Sequence, residues 1–158
     1  MAKRHENNEG DLLMKYLIAF ILGVTPVVAQ NLTQEQEVIA MTILGEARGE
    51  GEAGMYAVAC VLAQRVKNAS GDKSYTQICK ADWQFSCWND KKKSEAKLKK
   101  LMSNSVSAKY AKRLAIHIDN LDRSYVAFAD HYCTLNTNNK WTRKSSPVKV
   151  IGQHKFFK

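Results

Sequence analysis

Residues 33–67 read TQEQEVIAMTILGEARGEGEAGMYAVACVLAQRVK, two apolar helical patterns divided by a run of glycine and glutamate. Thr33-x-x-Gln36 is a capping box, in which each side chain satisfies the other residue's backbone N–H at a helix start. Val38, Ile39, Met41, Thr42 and Ile43 follow at helical spacing, so the pattern predicts a helix over 34–47. Met55, Val58, Ala59, Leu62 and Val66 recur at i, i+3, i+4, i+7 and i+11, which predicts a second helix over 53–67 with one buried stripe. Between the two lie Gly45, Gly49, Gly51 and Gly54, together with Glu46, Glu50, Glu52 and Arg48. Glycine in a helix interior costs roughly 1 kcal/mol per residue. A plain turn between helices needs one or two glycines and no carboxylates, so this stretch asks for a purpose.

Further along, NASGDKS at 68–74 reads as a loop. SEAKLKKLM at 94–102 is a short charged helix, and Ser107 is placed to cap another over 108–121, with Tyr110, Leu114, His117 or Ile118, and Leu121 on one face. His117 on that helix reads as a packed or half-exposed residue rather than a catalyst. The chain then changes character, through YVAFAD and the polar loop NTNNK to PVKVIGQHKFF, where Val148 and Val150 flank Lys149 in strand-like alternation. The expected fold class is α+β: a mainly helical domain with a small C-terminal β element.

A length of 158 residues fits one domain with one core, and a hydrophobic share of 45% excludes a chain disordered throughout. The formal net charge of +9 points to a polyanionic partner: nucleic acid, anionic lipid or an acidic wall polymer. No nucleic-acid-binding signature accompanies that charge, so no nucleic-acid partner is expected. The N-terminus sets the compartment. The uncharged run from Tyr16 to Ala29 is 14 residues long, short for a spanning helix and right for the hydrophobic region of a signal peptide. Lys15 precedes it, and Val27-Val28-Ala29 resembles a cleavage site. Residues 1–29 are therefore expected to be a signal peptide or an N-terminal membrane anchor, with membrane association through residues 12–29 in the second case. Residues 30–158 form a single exported domain, expected to be a monomer in the cell envelope or outside the cell.

Cys60, Cys79, Cys87 and Cys133 suit an oxidising compartment. Their three pairings stay open in sequence, but Cys79 and Cys87 are close enough to staple one loop, and a bridge is expected there. Neither C-x-x-C nor H-E-x-x-H occurs, so no metal and no cofactor is expected.

Glu46 is the carboxylate with the most to say. It falls in the last turn of the first predicted helix, where the helix dipole disfavours negative charge, and packing of the second helix would partly bury it. Both effects favour the protonated acid, the form that glycoside cleavage requires of a general acid. The glycines would let a polymer approach it without side chains in the way, while Arg48 pairs with a carboxylate or fixes the turn. The plainer reading is a solvated, charged turn.

GEARGEGEAGMYAVACVLAQRVKN at 45–68 resembles the signature block of the spore-cortex-lytic (SleB-type) family of cell wall hydrolases. The family shows a GEARGE block, an apolar helix of the V-A-x-V-x-x-x-R-V kind, a later Q-F-S and a closing I-G-x-H-x-F. This chain carries Gln84-Phe85-Ser86 and Ile151-Gly152-Gln153-His154-Lys155-Phe156 in the same order. The resemblance implies a lysozyme-like and lytic-transglycosylase-like fold acting on peptidoglycan glycan strands. It makes Glu46 the catalytic acid and Glu50 structural or substrate-binding. It places Gln84, Phe85, Ser86, Tyr132, Trp141 and His154 along the glycan groove, with His154 in a packing or hydrogen-bonding role. The chain departs from the pattern at Gly51, at Cys133-Thr134 after Tyr132, and in a lysine-rich insertion around 90–102.

The activity implied is cleavage of the β-1,4 bond after N-acetylmuramic acid, by the transglycosylase route with one glutamate as acid and then base. A hydrolase using a second carboxylate, for which Glu50 and Glu52 are nearby, is the enzymatic alternative. A basic envelope-binding protein without activity is the non-enzymatic one.

Overall fold

The Thr33 capping box closes as its residues dictate: the Thr33 hydroxyl accepts from the Gln36 N–H at 3.2 Å, and the Gln36 side chain accepts from the Thr33 N–H at 2.9 Å. This is a computed structural model that describes residues 31–103 and 105–158, with backbone alone at 91–93. The expected signal peptide or anchor at 1–29 and the start of the expected domain at residue 30 lie outside the described residues. Among those described, no helix is long and apolar enough to cross a membrane.

Helix α1 spans Gln34–Ala47 and α2 spans Gly51–Asn68, joined by a single 3₁₀ turn, Arg48–Glu50. Every residue from Val38 to Leu44 is buried, so α1 is a central helix, packed on α2 and on the three helices that follow. Full burial of side chains such as Ile39, Ile43 and Leu44 is worth roughly 1.5–3 kcal/mol each. Those helices are α3 (Tyr75–Lys80), α4 (Lys91–Leu101) and α5 (Val106–Ile116). The sequence reading passes over α3, although Ser74 and Gln77 form a second capping box at its start. It also places the cap of α5 two residues late: Ser105, not Ser107, accepts from the Ala108 N–H, and α5 ends at Ile116 before a 3₁₀ turn over Ile118–Asn120.

Thr42 docks a distant segment onto α1. Its hydroxyl donates to the Val38 carbonyl at 2.7 Å and accepts from the Trp88 indole N–H at 2.9 Å, which satisfies a buried polar group. Trp88 closes the 3₁₀ turn Ser86–Trp88, so that turn lies one helical step from Glu46. The C-terminal third supplies strands β1 (His131–Thr134), β2 (Lys149–Ile151) and β3 (His154–Phe157). They form an antiparallel sheet in the order β1-β3-β2, with Tyr132 opposite Phe156 and Ile151 opposite His154. Fold class is therefore mainly helical α+β.

Two apolar clusters hold this together. One gathers α1, most of α2 and α3 to α5; the other, around Ala57, Cys60, Val61, Val126, Ala129 and Phe156, ties α2 to the sheet. Tyr132 packs against both. The expected Cys79–Cys87 bridge is not formed: all four cysteines are free. Their thiols serve other partners, Cys79 reaching Thr42 in the core and Cys87 reaching Glu46.

Candidate active site

Three segments converge on the carboxylate of Glu46. Oε1 accepts from the Ser86 hydroxyl at 3.0 Å and from the Cys87 backbone N–H at 2.9 Å. Oε2 accepts from the Tyr132 hydroxyl at 2.9 Å. Thr42 and Glu46 sit four residues apart on one face of α1, so the helix grips the Ser86–Trp88 turn at both points. Glu46 itself is half-buried. Burial, then the charge and hydrogen bond of Glu46, hold the Tyr132 phenol well above its ordinary 10. The same causes, burial first, push the Cys87 thiol up. Both groups are therefore neutral where the carboxylate is charged.

The glycine-rich stretch resolves into different tasks. A Cβ at Gly45 would stand 2.5 Å from Cys87 Cβ and 2.9 Å from Leu98 Cδ2, so only glycine lets the Cys87 segment close onto Glu46. Gly54 is buried beneath Glu50, where a Cβ would lie 2.2 Å from the Glu50 Cβ. Glu50 in turn accepts from the Gln153 N–H at 2.8 Å, across the β2–β3 turn. Of the glycines expected to keep a mouth open, then, Gly45 borders a cavity and Gly54 makes room for Glu50.

The remaining expected groove residues divide. Ser86 donates to Glu46, and Gln84 is exposed two residues before Ser86 in the chain. Phe85 is only 1% exposed and lies under the Arg65 guanidinium, 4.7 Å from its ring centre, so it packs rather than offering a face. His154 is likewise interior, edge-on to Tyr132 at 5.1 Å between ring centres. Trp141 is partly exposed and packs edge-on to Phe157 at 4.9 Å.

Sequence reasoning missed three contributors. Arg65, inside the second helix pattern, donates to the carbonyls of Asp130 at 2.6 Å and Gln84 at 3.2 Å, clamping the approaches to Ser86 and Tyr132. Burial lowers its pKa from the ordinary arginine value, and the charges of Asp130 and Glu46 work against that fall. A lone arginine within an apolar stripe is the signal that could have found it. Asp130 accepts from Asn68 at 2.9 Å and pairs with His131 at 2.6 Å. Burial pushes its carboxyl up, but those bonds and the His131 and Arg65 charges outweigh it and hold it below the ordinary 3.8. Trp83 precedes Gln84 and is 86% exposed, with φ at 63°, a conformation bulky residues rarely adopt.

A cavity of about 540 Å³ opens beside Glu46, bounded by Gly45, Ser86 and Cys87 on one side and by α4 on the other. A second, of about 360 Å³, lies past Gln84 against Arg65, Asp130 and His131. The Gln84–Cys87 segment thus stands between two hollows. A carboxyl group wired to fixed donors and flanked by open hollows suits proton transfer to a bound, extended ligand.

Comparison with known proteins gives the same direction. A family model described as Cell Wall Hydrolase matches residues 49–157. That stretch begins at Gly49, so the case for Glu46 rests on geometry and local sequence. The fold is similar to the catalytic domain of the Bacillus cereus SleB protein, with a TM-score of 0.62 and 24% identity over 85% of this chain and 98% of that one. It is also similar to the catalytic domain of the germination-specific lytic transglycosylase SleB of Bacillus anthracis, with a TM-score of 0.58 and 26% identity over 83% of this chain and 100% of that one. No curated protein matches the sequence.

Proposed function

The chain belongs to the cell wall hydrolase family, and on that premise we propose that it cleaves the β-1,4 bond between N-acetylmuramic acid and N-acetylglucosamine in peptidoglycan, with Glu46 as acid and then base. The observation that carries this reading is the division of donors on Glu46. Oε1 takes a backbone N–H, which cannot reverse, and the Ser86 hydroxyl. Oε2 meets the Tyr132 hydroxyl, which can donate or accept. When Glu46 is protonated the proton belongs on Oε2, and the Tyr132 hydroxyl, which donates to that oxygen in this structure, turns to accept from it.

In the reaction, Oε2 gives that proton to the glycosidic oxygen as the C1–O bond breaks. The C6 hydroxyl of the same sugar then attacks C1 and loses its proton to the Glu46 carboxylate. The product carries a 1,6-anhydro ring, and Glu46 is protonated again. Tyr132 follows by donating to the carboxylate while it is charged and accepting when it is not. Lytic transglycosylase is the name borne by the Bacillus anthracis relative, which supports this route. Glu50 is engaged with the β2–β3 turn and Glu52 is exposed on α2. Trp83 offers an open indole face on which a sugar ring can stack. The charge of +9 draws the protein to an anionic envelope within a Debye length of about 8 Å at physiological salt.

Hydrolysis is the second reading, favoured by one observation: Asp90 lines the cavity that Ser86 and Cys87 border, where a carboxylate could activate water. Mass spectrometry of fragments released from purified peptidoglycan separates the two. Anhydro ends are expected; reducing muramic ends with loss of activity in Asp90→Asn give hydrolysis. Glu46→Gln lowers release about 10²–10⁴-fold with an unchanged melting curve. Binding to the wall with no fragments released by the native chain overturns the enzymatic reading.

A further inference from the structure

Helix α4 presents different faces to different surroundings. Ser94, Lys97, Leu98 and Leu101, at i, i+3, i+4 and i+7, line the cavity of about 540 Å³ beside the acid. Glu95 and Lys99 lie on another face and pair at 2.9 Å, and Lys80 reaches the same carboxylate at 3.8 Å. The helix thus neutralises some of its lysines locally and turns Lys97 toward the hollow. Arg48, just past the end of α1, meets it there. The same two cations border a further hollow of about 500 Å³ that runs on past Leu44 to Lys100, Ser103, Ser105 and Ser107. Asp90 is on the wall of the first hollow and is itself engaged. Both hollows fall in the range of about 300–1,000 Å³ usual for small-ligand pockets. Their floor is apolar, Leu98 and Leu101, and their junction is cationic, Arg48 and Lys97.

We propose that this junction is a subsite for a carboxylate on the glycan: Arg48 and Lys97 receive the charge carried on the lactyl ether of a muramyl residue or on the peptide attached to it, while the sugar occupies the hollow next to Glu46. The inference rests on the reading of the protein as a peptidoglycan-cleaving enzyme. Its consequence is specificity, because a guanidinium and an ammonium attract a carboxylate and gain nothing from a neutral chitin-like strand. An exposed ion pair sets a preference of up to about fivefold, and because such factors multiply, two acting together at about threefold each give about tenfold.

The test uses the full chain and three preparations of the same glycan strands: with peptides intact, with peptides removed by an amidase so that the lactyl carboxylate is free, and with that carboxylate then converted to a neutral amide. Binding is titrated with the Glu46→Gln variant, and kcat/KM is measured with the native chain. Carboxylate-bearing strands are expected to be preferred about tenfold over amidated ones, and the ratio is expected to fall to about threefold in Lys97→Gln, where Arg48 remains, and close to one in Lys97→Glu. Arg48→Gln, checked by a melting curve because Arg48 also caps α1 through the Leu44 carbonyl, lowers the ratio as well. A preference lost when peptides are removed assigns the charge to the peptide; one lost only on amidation assigns it to the lactyl group. Equal binding of all three preparations, or an unchanged ratio in Lys97→Glu, overturns the subsite. If no strand is cleaved but binding keeps its charge preference, the subsite stands and the enzymatic reading falls.

Discussion

Tyr132 and Trp83 serve different stages of the proposed reaction, so their substitutions separate in the kinetics. Tyr132→Phe keeps the ring against His154 and Phe156 and removes only the hydroxyl that meets Glu46 Oε2. A hydrogen bond to a charged group is worth roughly 1.5–3 kcal/mol, so kcat is expected to fall about ten- to hundredfold with little change in KM. Trp83→Ala removes an exposed face remote from the proton and is expected to raise KM about tenfold while sparing kcat. A Trp83→Ala enzyme with native KM would leave the strained indole without a role in binding. Glu50→Gln belongs to neither class, since the amide oxygen can still accept from the Gln153 N–H. Near-native activity is expected of it, and a loss matching that of Glu46→Gln would mean the acid had been placed on the wrong glutamate.

Gly45 links α1 to the Ser86–Trp88 turn, and its substitution tests that joint as a whole. Alanine there would collide with Cys87 and Leu98, both fixed by packing. Forcing a methyl group into a packed site costs typically about 1–3 kcal/mol, so Gly45→Ala should melt earlier. Because the Cys87 N–H must back away from Glu46, it should also lose activity beyond what the melting change explains. A variant that melts early yet retains full turnover would separate the joint from catalysis. The elements themselves were largely legible. A capping box and a 3.6-residue period are local signals, which is why α1 appears with its expected bounds and α2 begins only two residues before expectation. Helix α3 is equally local, but the loop expected over 68–74 takes in only Ser74, the first half of its capping box with Gln77. The site was legible only in part. Glu46 stands out by its place at the end of α1, whereas its donors come from 40, 41 and 86 residues away, and no periodicity encodes such pairings. The same limit explains the misplaced disulfide: sequence gives the spacing of Cys79 and Cys87 but not that core packing turns one toward Thr42 and the other toward Glu46.

Leu32–Lys158 is one compact unit, and α2 contributes to both of its apolar clusters, with Met55, Val58 and Leu62 in one and Ala57, Cys60 and Val61 in the other. Glu46 belongs to α1 in the first cluster, and Tyr132 bridges to the second, so the arrangement around Glu46 exists only while both clusters are intact. Each cluster also encloses a thiol. Burial pushes Cys60, in the second, from 9.0 up to about 12, with the Asp122 charge adding to it. Burial does the same to Cys79, in the first, again to about 12. The unfolded chain gives up these protons near 9.0, and the folded chain holds them to about 12. Between those values the unfolded state binds fewer protons, so stability falls as pH rises. The contribution is fully present below 9.0 and is lost as pH climbs through the folded value near 12, at a slope of at most about 1.4 kcal/mol per pH unit for each thiol. Against a total stability of about 5–15 kcal/mol, two such thiols are enough to bring unfolding within the alkaline range. The melting temperature, measured in reductant, should therefore be nearly flat around neutrality and drop progressively above pH 9.0. Loss of turnover should accompany that drop, because both clusters support the site. The Cys60→Ala, Cys79→Ala double variant should show a shallower decline than the native chain, whatever its melting temperature at neutrality. An unchanged slope in that variant would rule out the buried thiols as the cause.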